Sequence, residues 1–201
     1  MTGVVAVEVD AEQRALIEAA HRAMRRNGFN GATVADILAE AGLSTRAFYR
    51  HFGSKDELLL AMYRRDSDAV AVRIESRCGA APTAAAALSA WLDEVLSLAY
   101  EPRRARRAAV LGSLAARRAD TYPEAEEAAV ASLVGPLVRV LERGRDNGSF
   151  PLVDPEIDAH TIHAVVWGIT EGRMHGRPGP TRQDALRHAL RFILPAIGAD
   201  A

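Results

Sequence analysis

"GLSTRAFYRHFGSKDELL", residues 42–59, decides how the rest of the chain is read. Arg46, Arg50, His51 and Lys55 surround Phe48, Tyr49 and Phe52, and Lys55 is the only lysine beside 24 arginines. Ser44 is placed to cap a short helix. Phe48 and Phe52 stand four apart and share a face of it, and Gly53 stops it. Thr45, Arg46, Tyr49 and Arg50 lie away from that face. Just upstream, "TVADILAEAG" (33–42) predicts another short helix. Thr33 is its N-cap, Asp36 has the capping-box position, and Val34, Ile37, Leu38 and Ala41 form one face. Further back, Leu16, Ala19, Ala20, Ala23 and Met24 recur at helical spacing until Asn27-Gly28. Downstream, Ser54 with Glu57 three residues on predicts a helix from Lys55 to about Arg77.

Two short helices joined by a glycine turn, the second carrying exposed basic and polar residues, describe a helix-turn-helix. Arginine can pair with guanine through two hydrogen bonds, and threonine can touch a thymine methyl. Ser44 at a helix N-terminus suits a phosphate. The structural alternative is a solvated helical hairpin in a chain rich in arginine throughout.

The segment "TVADILAEAGLSTRAFYRHFGSKDELLLAMY" resembles the DNA-binding segment of the tetracycline-repressor (TetR) family of bacterial transcription regulators. T-x-x-x-I, A-G-L-S, F-Y-x-H-F and x-S-K-x-E-L carry the resemblance, which covers about fifty residues. It implies that Thr33 meets phosphate and that Thr45, Arg46 and Arg50 read bases, with Ala47 close to the groove floor. It also implies phosphate contacts from Tyr49, His51 and Lys55. Lys55 would add its compact charge to the positive end of the helix it opens. Leu38 departs from the alanine that many helix-turn-helix proteins place against the second helix.

The bulk of the chain fits an intracellular helical protein. It has 201 residues, 49% of them hydrophobic, and few aromatics. The single cysteine, Cys78, excludes an internal disulfide and reads as a small buried side chain. No apolar run is long enough to span a membrane, and the start lacks the basic region of a signal peptide, so a cytoplasmic location is expected. The first ten residues read as a loose arm. The net charge of −1 hides a local excess: residues 21–65 carry eight basic and four acidic residues, a net of +4.

Beyond residue 77, "CGAAPTAAAAL", "EP", "DTYP", "DNGSFPLVDP" and "GRPGP" punctuate helical patterns at roughly 83–100, 103–118, 123–147, 155–175 and 181–197. No segment alternates with period two, so the expected fold is all-α with about nine helices. A DNA-binding domain over 1–54 and a helical ligand-binding and dimerisation domain over 55–201 are expected.

In the larger domain Trp91, Tyr100, His160, His163 and Trp167 offer polar handles among small apolar residues, the mix of a small-molecule cavity. Gly135-Pro136 could kink its helix and widen the space, or merely bend it. His160 and His163 lie three apart near Glu156, too few ligands for a structural metal. "RRARR" (103–107) is a solvated face or an anion site. Apolar stripes on the last two helices, Ile162, Val166 and Ile169 with Leu186, Leu190 and Ile193, are candidates for a homodimer interface or for the internal core. The resemblance agrees with pairing through these helices over a palindromic site on double-stranded DNA, with a small-molecule effector of unknown identity. No catalytic signature and no cofactor motif is present. The competing reading is a helical sensor or carrier that binds no operator.

Overall fold

The computed structural model describes residues 11–111 and 122–199. Its helices are α1 (Ala11–Gly31), α2 (Val34–Ala41), α3 (Thr45–His51), α4 (Lys55–Ala80), α5 (Ala84–Tyr100), α6 (Pro102–Leu111), α7 (Tyr122–Asp146), α8 (Pro155–Met174) and α9 (Arg182–Ala196). No strand occurs among the described residues, so the all-α expectation holds. The arm expected over 1–10, and the part of the 103–118 helix beyond Leu111, lie outside them.

Local chemistry sets the helix ends. The Thr33 hydroxyl accepts the Asp36 N–H at 3.1 Å, while the Asp36 carboxylate accepts the Thr33 N–H at 2.8 Å, closing the capping box. Gly42 ends α2 in the left-handed region (φ 66°, ψ 31°), where its N–H donates to the Leu38 carbonyl. Ser44 caps α3 by accepting the Ala47 N–H at 3.2 Å, and Ser54 accepts the Glu57 N–H at 3.1 Å. The Glu57 carboxylate reaches the N–H of Gly53 at 2.7 Å, one residue before the expected box position. Helical geometry in α1 breaks at Gly28 (φ 71°, ψ 169°), where the sequence predicts an end, and a last turn follows.

Contacts divide the described residues into two units, 11–62 with 110–111 and 122, and 63–109 with 123–199. The division falls within α4, after Met62. The first unit is a small core of Leu16, Ala19, Ala20, Ala23 and Met24 from α1, Ile37 and Leu38 from α2, and Phe48 and Phe52 around α3. Leu58, Leu59 and Met62, in the first turns of α4, are buried with this unit. Arg22 and Arg26 of α1 both pair with Glu40 of α2, at 2.7 and 2.6 Å.

In the second unit α5 packs against α8 and α9. Trp91 is fully buried and its indole N–H donates to the Leu133 carbonyl at 2.9 Å. Phe150 is fully buried as well, and Gly144 leaves it room: a Cβ there would sit 1.9 Å from the ring. α7 continues through Gly135-Pro136 as one helix.

Glu94 is the unexpected element. It is 3% exposed and accepts from Arg73 at 2.8 Å, Arg77 at 3.1 Å and Arg104 at 2.7 Å, which ties α4, α5 and α6 together. Arg182 of α9 joins through Asp93 at 2.8 Å. The basic run 103–107 is therefore partly committed inside the protein: Arg104 to Glu94 and Arg107 to Asp66.

The apolar stripes of α8 and α9 are divided. Ile162, Val166 and Ile193 are buried in the protomer's own core, and Ile169, Leu186 and Leu190 pack against it partly buried. A side chain already enclosed by its own protomer has little surface left for a partner. The large apolar residues that α8 and α9 expose are Ile157, Val165 and Phe192.

Candidate nucleic-acid interface

α3 turns its two small-unit anchors inward and its polar residues outward. Ala47 and Phe48 are buried, while Thr45, Arg46, Tyr49 and Arg50 are exposed. At 3.6 residues per turn these four span an arc of about 140°, one face of the helix. Phe48, fully buried in the unit's core, anchors the helix, and its ring meets Tyr49 edge-on at 5.3 Å and Phe52 at a tilt at 5.9 Å between centroids. Tyr49 remains 61% exposed, so its hydroxyl end is available to a backbone phosphate.

The Ala47 methyl is 6% exposed and packs in the core, so it helps position the helix. Thr33 and Ser44 are exposed, but both hydroxyls serve as caps, and the Thr33 hydroxyl proton goes to Asp36 at 2.7 Å. A phosphate contact from Thr33 has to displace that bond. Lys55 opens α4 half-buried, and burial draws its ammonium below the usual lysine range.

Glu12 was not legible as part of this surface. It lies in the first turn of α1 and pairs with both Arg50 and His51, the latter at 3.0 Å. These bonds, His51 first and Arg50 next, hold its carboxyl below the ordinary range. The one hint in the sequence is the acidic excess ahead of the basic segment.

Of the candidate ligand residues of the second unit, Trp91, His163 and Trp167 come together: the His163 ring meets Trp91 edge-on at 6.5 Å between centroids. Trp91 is sealed in the core, and His163 is buried with its ring stacked on Trp167 at 5.7 Å. Burial, and then the neighbouring His160, push the His163 imidazole below the usual histidine range. His160 itself is exposed. Tyr100 is half-buried, donating its hydroxyl to the Pro180 carbonyl at 2.9 Å beneath the Arg173 guanidinium.

Residues 16–62 match the family model described as bacterial regulatory proteins, tetR family. The chain is 38% identical over 52 residues to the transcriptional repressor AcnR of Corynebacterium efficiens, covering 26% of this chain and 28% of AcnR. The match spans about a third or less of the curated relatives' own length. The whole fold is shared more widely. The fatty acid degradation regulator FadR of Bacillus halodurans superposes with a TM-score of 0.77 at 16% identity, over 95% of this chain and 98% of that one. FadR of Bacillus subtilis, solved with stearoyl-CoA, superposes with a TM-score of 0.72 at 17% identity, over 91% and 98%. The helix-turn-helix thus lies inside a segment that matches the tetR-family model, and the chain shares its all-α fold with solved regulators.

Proposed function

We propose that the chain is a sequence-specific transcriptional regulator, a repressor that binds a palindromic operator as a homodimer and leaves it when a small molecule occupies the helical unit. The exposed face of α3 carries the reading: Thr45, Arg46, Tyr49 and Arg50 stand together on a helix fixed from behind by Phe48. Arg46 and Arg50 read base edges, while Tyr49, His51 and Lys55 meet the backbone. Thr33 and Ser44 join them through their helix ends. AcnR is itself a repressor, and regulators of the same fold hold ligands such as stearoyl-CoA.

A single α3 touches too few base pairs for useful specificity, so two copies are required. Val165 on α8 and Phe192 on α9 are exposed apolar positions left for a second copy, and Ile169, one turn from Val165, is partly buried. No described helix is long and apolar enough to cross a membrane, and the proposed action is on DNA in the cytoplasm. The relatives are regulators, and no enzymatic step is assigned here.

The test selects DNA fragments with the purified protein and measures binding to the recovered sequence by fluorescence anisotropy across a salt series. A palindrome bound with a steep salt dependence is expected. Recovery of no common sequence, with ligand binding intact, leaves the sensor or carrier reading instead.

A further inference from the structure

An open cleft of about 310 Å³ lies between the last turns of α4 and the middle of α7. Its chemistry is divided. One side is apolar: Pro136, Val140 and the thiol of Cys78 are all buried, and the thiol is spent on the Ala87 carbonyl at 3.4 Å. Pro136, lacking an N–H, presents only a hydrocarbon ring. The other side holds Glu75, Arg139 and Arg143. Two guanidiniums against one carboxylate leave one net positive charge.

The two arginines are not equivalent. Arg139 pairs with Glu75, and both side chains are more than half exposed. Arg143 gives one terminal nitrogen to the Thr83 carbonyl at 3.2 Å, while its Nε is buried without an acceptor. A buried charged donor with no partner is costly, and an anion in the cleft relieves it. There is room beside it: a Cβ built on Gly79 meets nothing within 4 Å.

We propose that this cleft binds a small amphipathic carboxylate, its carboxyl group on Arg143 Nε and Arg139 and its apolar body on Pro136, Val140 and Cys78. One net positive charge suits a monoanion better than a phosphate dianion. The volume lies at the lower end of the range of about 300–1,000 Å³ seen for ligand pockets, which suits a short or single-ring acid. The proposal deepens the effector reading and rests on it only for the effect of occupancy on DNA.

The test titrates benzoate, phenylacetate and hexanoate into the full-length protein by calorimetry, without DNA, with benzamide as the uncharged control. At least one acid should bind about tenfold or more tightly than benzamide, as one charged hydrogen bond warrants. Arg143→Met should weaken that acid about tenfold, and Gly79→Leu, which fills the cleft, should abolish binding while the melting temperature holds. The site is overturned if none of the acids binds at millimolar concentration, if benzamide binds as well as benzoate, or if Gly79→Leu leaves binding intact. Acid binding that leaves operator affinity unchanged upholds the site and overturns its part in the switch.

Discussion

Replacing Glu94 by glutamine keeps the shape of the side chain and removes the charge on which three arginines converge. Burial pulls the Glu94 carboxyl upward, but bonds from Arg73, Arg104 and Arg77 more than offset this and hold it below the ordinary range. Breaking a buried pair by neutralising one partner costs about 3–5 kcal/mol. Here the lower end applies. Arg77 keeps Asp93 at 2.7 Å and Arg104 keeps Glu101 at 3.0 Å, so among the described residues Arg73 alone of the three has no second ion pair. Arg73 and Arg77 are also 40% exposed, and water takes up part of their lost partner.

A loss of about 3 kcal/mol in a chain of this size lowers the melting temperature by about 6–12 °C. Circular dichroism melts and urea titrations at neutral pH give the value. The sign with pH is fixed: a carboxyl held low in the folded state stabilises above its ordinary range, and that contribution is lost as pH falls through its depressed value. The gap between wild type and Glu94→Gln should therefore be widest at neutral pH and close in acid. A difference below about 1 kcal/mol at neutral pH would refute the reasoning, because the cluster would then be no more than surface pairs.

Arg46→Ala should lose about 1–3 kcal/mol of discrimination between the selected operator and its variants, whereas Lys55→Ala should weaken all sequences alike and reduce the salt slope by about one; anisotropy titrations separate the two. Gly144→Ala drives a methyl into the sealed Phe150 ring and should cost about 1–3 kcal/mol in a urea titration, with the helical signal kept. Phe192→Asp places a charge on an exposed apolar position, so light scattering should show loss of the dimer while the melt of the protomer changes little; an unaltered dimer moves the interface elsewhere.

Features decided within four residues were legible in the sequence. Thr33, Ser44 and Ser54 each sit at a helix start because the cap needs only a hydroxyl and the N–H two or three residues on. Gly42 is readable for the same reason. Features decided between helices were not. Glu12 is 38 residues from Arg50, and Glu94 is 21 from Arg73, and no local pattern joins them. Periodicity on α8 and α9 correctly marks an apolar stripe, yet cannot say which neighbour covers it, so Ile162, Val166 and Ile193 prove to be core.

The pairing of Glu12 with Arg50 and His51 gives the proposed DNA-binding surface an internal counterion. On the proposed reading, operator binding is then an exchange, with the operator taking the place of a carboxylate at Arg50 and His51. Two consequences follow. The salt slope undercounts the basic residues engaged, since a charge already neutralised within the protein releases fewer ions from DNA. Weak, ill-fitting contacts gain nothing over the bond they replace, so Glu12 raises the threshold for random DNA more than for the operator. Selectivity on this surface depends on an acidic residue that touches no base.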